Sequence, residues 1–191
     1  MIEIKNLHKK YNGITVVDDL SLSVNKGEVL GFLGPNGAGK STTMKMITGF
    51  IEPTSGEIKI KDYLVTNLSY EVKKYIGYLP EGAPMYGEMT TYDFLLFIAK
   101  IRGVEKNNIN NSIDSVISDL SLQDVIYKRI EHLSKGFKRR VGIAQAIIHD
   151  PEILIMDEPT DGLDPNQKYD VRELIKKISK DKTIIVSTHI L

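Results

Sequence analysis

Apolar and polar residues alternate from the start of the chain. Ile2 and Ile4 flank Glu3, and the same style runs through Thr15–Val24. A period of two puts one face of an extended chain against a core and the other in water, so both stretches predict half-buried strands. Glu28–Leu33 is a short apolar run ending in a glycine cluster, which predicts a buried strand feeding a turn. A helix is predicted over Lys40–Thr48, and short strands over Glu57–Ile60 and Tyr75–Leu79. The pattern then turns helical over Thr90–Ile101 and Asn107–Leu120, with little strand signal between. After Ser134 another helix is predicted, with Phe137, Val141, Ala144 and Ile148 on one face. Ile153–Met156 predicts a buried strand. Asn166–Lys180 is amphipathic, with Val171, Leu174, Ile175 and Ile178 at i, i+3, i+4 and i+7, and Thr183–Ser187 predicts a last β-branched strand.

Strands alternating with helices point to an α/β fold whose sheet is mostly parallel and covered on both faces. The stretch from Glu81 to about Leu133 predicts a helical subdomain inserted into an α/β core made of residues 1–80 and 134–191. The last residues, Thr188-His189-Ile190-Leu191, follow a strand with no helix to cover it, which predicts a fragment of a longer chain.

Composition narrows the function classes. The chain has 191 residues, 41% apolar and 26% charged, which suits one globular domain and excludes a mainly disordered or collagen-like chain. Twenty-five basic residues balance 25 acidic ones, so charge lends no support to a nucleic-acid or anionic-lipid partner. Cysteine is absent, which removes disulfides, thiolate metal sites and cysteine nucleophiles and fits a reducing compartment. The N-terminus has no apolar signal core, and no run approaches the ~18 apolar residues of a membrane span.

Gly34-Pro35-Asn36-Gly37-Ala38-Gly39-Lys40-Ser41 fits the phosphate-binding P-loop pattern. The glycines let backbone N–H groups turn towards phosphate oxygens, and the following helix aims its N-terminus at the same anion. Lys40 would reach the β- and γ-phosphates, Ser41 would offer its hydroxyl to Mg²⁺, and Thr42 would add an α/β-phosphate contact. A glycine-rich turn without a ligand is the plainer alternative. Further on, Ile153–Met156 ends in Asp157 and Glu158. Asp157 would join the Mg²⁺ shell opposite Ser41, and Glu158 would polarise an attacking water. The competing explanation is a solvated strand end.

Three more segments follow the P-loop in order: Leu133-Ser134-Lys135-Gly136-Phe137, Asp157-Glu158-Pro159-Thr160 with Gly162-Leu163-Asp164, and His189. Together the set resembles the nucleotide-binding domain of the ABC (ATP-binding cassette) ATPases, over about residues 1–191. Tyr78-Leu79-Pro80-Glu81 and Leu163-Asp164-Pro165-Asn166-Gln167 look most like bacterial exporter-type and gliding-motility-type ATP-binding subunits. The resemblance implies a P-loop NTPase of ABC type: a mostly parallel sheet core, an N-terminal antiparallel β part and an inserted α-helical subdomain. It implies further elements after His189 that this chain lacks.

Site roles also follow from the resemblance. Residues 133–137 would be the signature motif, with Ser134 and Gly136 closing in trans on ATP held by a second ATP-binding subunit. Ser134 is equally a helix N-cap. His189 would contact the γ-phosphate and the attacking water, although a lone histidine after a strand is usually incidental. Asp164 would be the D-loop carboxylate linking the two sites, or a turn former before Pro165. Tyr11 would stack on adenine, or be a core aromatic at a strand end. Ser41, Glu81 and Asp157 would serve the metal.

Three departures stand out. Glu81 replaces the family's usual Gln, Lys135 the second glycine of the signature and Phe137 its Gln. The cations Lys135, Lys138, Arg139 and Arg140 are expected to form a solvated helix face. The resemblance implies ATP and Mg²⁺ as cofactors, hydrolysis driving transport, an integral-membrane permease, and a place on the cytoplasmic face of the membrane, with export as the direction and no nucleic acid as partner. The alternatives are a non-transport ABC ATPase acting on nucleic acid or the ribosome, and a nucleotide-binding regulatory module without turnover.

Overall fold

In the computed structural model, which describes residues 1–65 and 70–188, the first two strands form a long hairpin. β1 (Ile2–Tyr11) and β2 (Ile14–Val24) pair antiparallel down to Tyr11 and Ile14. Asn12 and Gly13 join them with φ of 49° and 82°, and two positive φ values in a row give the twist a tight hairpin needs. β4 (Ser55–Ile60) pairs antiparallel with the other edge of β1, and β5 (Tyr63–Leu64) extends that sheet. Its order is β2-β1-β4-β5.

The second sheet is parallel, in the order β3-β8-β7-β6. It consists of β3 (Val29–Leu33), β6 (Ile76–Leu79), β7 (Ile153–Met156) and β8 (Thr183–Thr188). Residues of β7 alternate between two cores. Ile153 and Ile155 join Ile2, Ile4, Met44 and Ile60 of the first sheet and α1 (Lys40–Ile47). Leu154 and Met156 face the other way, into a core shared with the remaining helices. With both faces covered, every residue of β7 and β6 is buried, which explains the continuous apolar runs. β3 departs from the expected burial: Val29 and Leu33 are 47% and 56% exposed. Among the described residues β3 pairs on one side only, with β8, and the edge position leaves alternate side chains in water.

A short helix α2 (Tyr70–Lys73) precedes β6. Between β6 and β7 lie α3 (Thr91–Ile101), α4 (Ile109–Asp119), two 3-10 turns, and α5 (Lys135–Ile147); α6 (Pro165–Ile178) connects β7 to β8. Thr90 caps α3 by accepting the Asp93 N–H over 3.1 Å. Phe94 and Leu95 of α3, Ile113 of α4 and Val141 and Ala144 of α5 are essentially inaccessible and form one core. Each side chain of that size contributes about 1.5–3 kcal/mol when buried.

The register sets up the site. Leu33 pairs with Thr188, Val186 with Met156, and Met156 with Leu79. All four strands run the same way, so their carboxyl ends share one edge. Gly34, Asp157 and Pro80 therefore leave the sheet side by side, where open α/β sheets bind their ligands.

Candidate functional site

β3 hands the chain to the loop at residues 34–39, and α1 starts immediately after it. Gly39 is the N-cap of α1, with φ of 82° and no side chain to cap the first-turn N–H groups. A Cβ there would lie 2.6 Å from the Val16 carbonyl oxygen, so the close approach of β2 demands glycine as firmly as the φ does. Thr43 ties the loop down, its hydroxyl donating to the Gly39 carbonyl over 2.9 Å. Lys40 folds back over the loop. Its ammonium donates to the carbonyls of Gly34 at 2.7 Å and Pro35 at 3.2 Å, and lies 3.8 Å from Glu158 Oε1. Both of those side chains are about nine-tenths buried. A cavity of about 420 Å³ opens here, lined by Asn36–Thr42, Glu81, Glu158 and Asp161, with Val16 beneath.

Asp157 is 1% exposed. Its Oδ1 accepts the Ser187 hydroxyl over 2.6 Å, while Oδ2 is buried with no hydrogen-bond partner among the described residues. Burial, aided by the nearby Asp157 carboxylate, pushes the Tyr78 phenol up to about 12. Glu158 has a positive φ of 49°, and its N–H donates to Ser187 Oγ over 2.8 Å.

The cationic face of α5 is only partly the solvated surface expected: Lys135 is exposed, but the two arginines are held against the protein. Arg139 turns inward, donating to the carbonyls of Pro80 at 3.3 Å and Pro159 at 3.2 Å, and to those of Asp157 and Glu158. Burial lowers its pKa, against the upward pull of Asp161, Asp157, Glu158 and Glu81. Arg140 is also held, by the Leu120 carbonyl and Asp170, with its side chain 13% exposed. The sequence carried a signal for Arg139. Its neighbours at i−3, i+3 and i+4 are Gly136, Gly142 and Ile143, all buried, so it lies on the sheet-facing stripe.

The segment 133–137 sits apart from the P-loop cavity within the chain. Ser134 N-caps α5, accepting the Phe137 N–H over 3.3 Å, and Leu133 is buried. Phe137 packs partly buried against the helical core. Lys135 pairs with Asp161 at 3.3 Å and helps line a second cavity of about 590 Å³, which shares Glu81 and Asp161 with the first. Asp164 N-caps α6: its Oδ1 accepts the Gln167 N–H at 2.9 Å, and Gln167 Oε1 accepts the Asp164 N–H at 3.4 Å. Tyr11 is 45% exposed at the hairpin end, so it is not a core aromatic; the Lys9 ammonium stands 4.9 Å from its ring centre. It does not line the P-loop cavity. His189 lies outside the described residues.

The sequence model of the family described as ABC transporter matches residues 17–161, which spans the P-loop, the signature segment and the paired carboxylates. The chain belongs to the ABC transporter family. The bacitracin transport ATP-binding protein BcrA of Bacillus licheniformis is 42% identical, over 100% of this chain and 62% of its own length. The linearmycin resistance ATP-binding protein LnrL of Bacillus subtilis is 36% identical, over 99% of this chain and 61% of its own. The ATP-binding cassette MJ0796, solved as a dimer in a post-hydrolysis state bound to ADP and Pi, superimposes with a TM-score of 0.90 at 25% identity, covering 100% of this chain and 88% of that one. This ABC cassette spans about three-fifths of the length of the curated relatives it matches. Its fold is that of the family's P-loop ATPases, with one parallel and one antiparallel sheet. Sequence reasoning missed Arg139, Asp161, Gln167 and Ser187 as residues that build the site.

Proposed function

We propose that this cassette binds and hydrolyses ATP to power a membrane transporter, in company with a permease and a second cassette. The observation that carries the reading is the single cavity in which the P-loop residues Asn36–Thr42 meet Glu81 and Glu158. The uncapped N-terminus of α1 and the Lys40 ammonium suit a polyphosphate. Mg²⁺ fits the donor set. Asp157 Oδ2 is buried with no hydrogen-bond partner among the described residues, and its neighbour Glu158 lines the cavity together with Ser41 and Glu81. No cluster of three His, Cys, Asp or Glu stands ready for a metal among the described residues, which suits an ion shared with substrate phosphates rather than caged by protein. Bound there, Mg²⁺ would neutralise charge on the phosphates. Glu158 polarises the attacking water, and His189 and Tyr11 contact the γ-phosphate and the adenine.

Within the chain the segment 133–137 does not line the P-loop cavity, and Ser134 is exposed at the start of α5. That placement suits a signature acting in trans on the nucleotide of a second subunit, with Asp164 in the connecting D-loop. Residues 81–133 form the helical subdomain. No helix among the described residues is long and apolar enough to cross a membrane, so the permease is another segment or another chain. Glu81–Glu88, with Tyr86 56% exposed, offers it a docking surface at the cytoplasmic face. Two relatives named for bacitracin transport and linearmycin resistance support export.

The test is the solution mass of Glu158→Gln with and without Mg-ATP. Removing the base traps a closed pair if hydrolysis is what separates it, so an ATP-dependent shift from monomer to dimer is expected. A variant that binds ATP and stays monomeric defeats the closure mechanism.

A further inference from the structure

We infer that Arg139 is the positioning residue that holds the Glu158 main chain, and with it the Glu158 carboxylate, from the helix that begins at the signature segment. The inference rests on the reading of Glu158 as the residue that polarises water. Glu158 sits at φ of 49°, a left-handed conformation that is strained for a non-glycine residue and persists only when its surroundings over-determine it. Three bonds do so. The Glu158 N–H donates to Ser187 Oγ, and its carbonyl accepts both the Asp161 N–H at 3.0 Å and the Arg139 guanidinium.

The same guanidinium reaches the carbonyls of Asp157, Pro159 and Pro80. It thereby ties the carboxyl ends of β6 and β7 to α5. A planar guanidinium with five donors can reach all four carbonyls at once, whereas a lysine ammonium has only three donors. Loss of the guanidinium leaves the turn free to relax from φ of 49°. The carboxylate then drifts from its place 3.8 Å from Lys40. Among the described residues the Arg139 hydrogen bonds go to Pro80, Asp157, Glu158 and Pro159 and none to the P-loop, so its loss should spare nucleotide binding. Because Ser134 caps the same helix, Arg139 links the start of α5 directly to the Glu158 carbonyl.

The experiment compares wild type with Arg139→Met and Arg139→Lys. It measures fluorescent-nucleotide Kd, kcat and KM for ATP, and amide hydrogen exchange at residues 157–161 without nucleotide. Arg139→Met is expected to lose about 100-fold in kcat, the effect of a misplacement near 1 Å, with KM and Kd within about threefold. Arg139→Lys should lie between the two. Exchange at the Glu158 and Asp161 amides should accelerate in both variants while the rest of the sheet stays protected. A kcat within twofold of wild type in Arg139→Met overturns the inference, as does an equal loss of kcat and nucleotide affinity. If Arg139→Met does not fold, wild-type kcat in Arg139→Lys overturns it. A wild-type protein that does not turn over ATP sinks the hydrolytic reading instead. The exchange data then still decide whether Arg139 holds the turn, and unchanged exchange at Glu158 and Asp161 refutes that.

Discussion

Ser187 in β8 donates its hydroxyl to Asp157 at the end of β7 over 2.6 Å, and both residues are inaccessible to solvent. The same oxygen accepts the Glu158 N–H over 2.8 Å, so one small side chain fixes two neighbouring acidic residues. Ser187→Ala leaves a buried carboxylate oxygen and a buried N–H without partners. Hydrogen bonds to charged groups contribute about 1.5–3 kcal/mol, and a loss of that size in urea unfolding is expected. ATP turnover should fall with it, whereas Ser187→Thr should keep most of both. An alanine variant as stable as wild type would mean that Asp157 finds another donor.

Gly136 lies against the side chain of Gln167. A Cβ at 136 would come 2.5 Å from Gln167 Oε1. The atom that must yield is the end of a flexible side chain. Moving it breaks only the longer half of the α6 capping box, the 3.4 Å bond from the Asp164 N–H. Alanine also favours the helix over glycine by about 0.8–1 kcal/mol. Gly136→Ala is therefore expected to fold with stability within about 1 kcal/mol of wild type. If the signature segment acts in trans as proposed, nucleotide-driven pairing of two cassettes should weaken, because the methyl displaces the Gln167 side chain packed against the start of α5. Denaturation and solution mass separate the two effects, and a variant that still pairs with Mg-ATP would count against close approach at Gly136.

His149 follows α5 and is mostly buried. Its Nε2 lies 3.2 Å from the Ile76 carbonyl, and burial first, then the nearby Arg102, lowers its pKa to about 4. In the unfolded chain it titrates near 6.5. Between these values the unfolded state binds a proton that the folded state refuses, so stability is full above about pH 6.5 and declines towards pH 4, by at most ~1.4 kcal/mol per pH unit. His149→Gln keeps a donor for Ile76 and should flatten that decline between pH 7 and pH 5. Parallel curves for the two proteins would show that other groups set the acid sensitivity.

Local chemistry was legible without a structure. The P-loop announces itself because its glycines answer a local demand, shown at Gly39 by its φ and by the carbonyl of Val16. Ile153–Met156 reads as a buried strand because both its faces meet a core. Phe94 and Val141 show the helical period that buries them. Asp157 and Glu158 stand out as charges at the end of an apolar run.

Other features needed tertiary structure. β3 has the composition of a buried strand, yet Val29 and Leu33 are exposed, since edge position depends on which strands pair. Arg139 and Lys135 are both cations on the first turns of α5, but one is half-buried against strand-end carbonyls and the other is exposed beside Asp161. Ser187 looks like any strand-end serine until β7 is laid beside β8. Within its 191 residues the sequence by itself determined the longer helices, the principal strands and the phosphate loop, because periodicity and glycine geometry act over a few residues. The order β3-β8-β7-β6 alone decided that Lys40, Asp157, Glu158 and Glu81 would meet at one edge, because pairing between distant strands is settled by packing the whole chain.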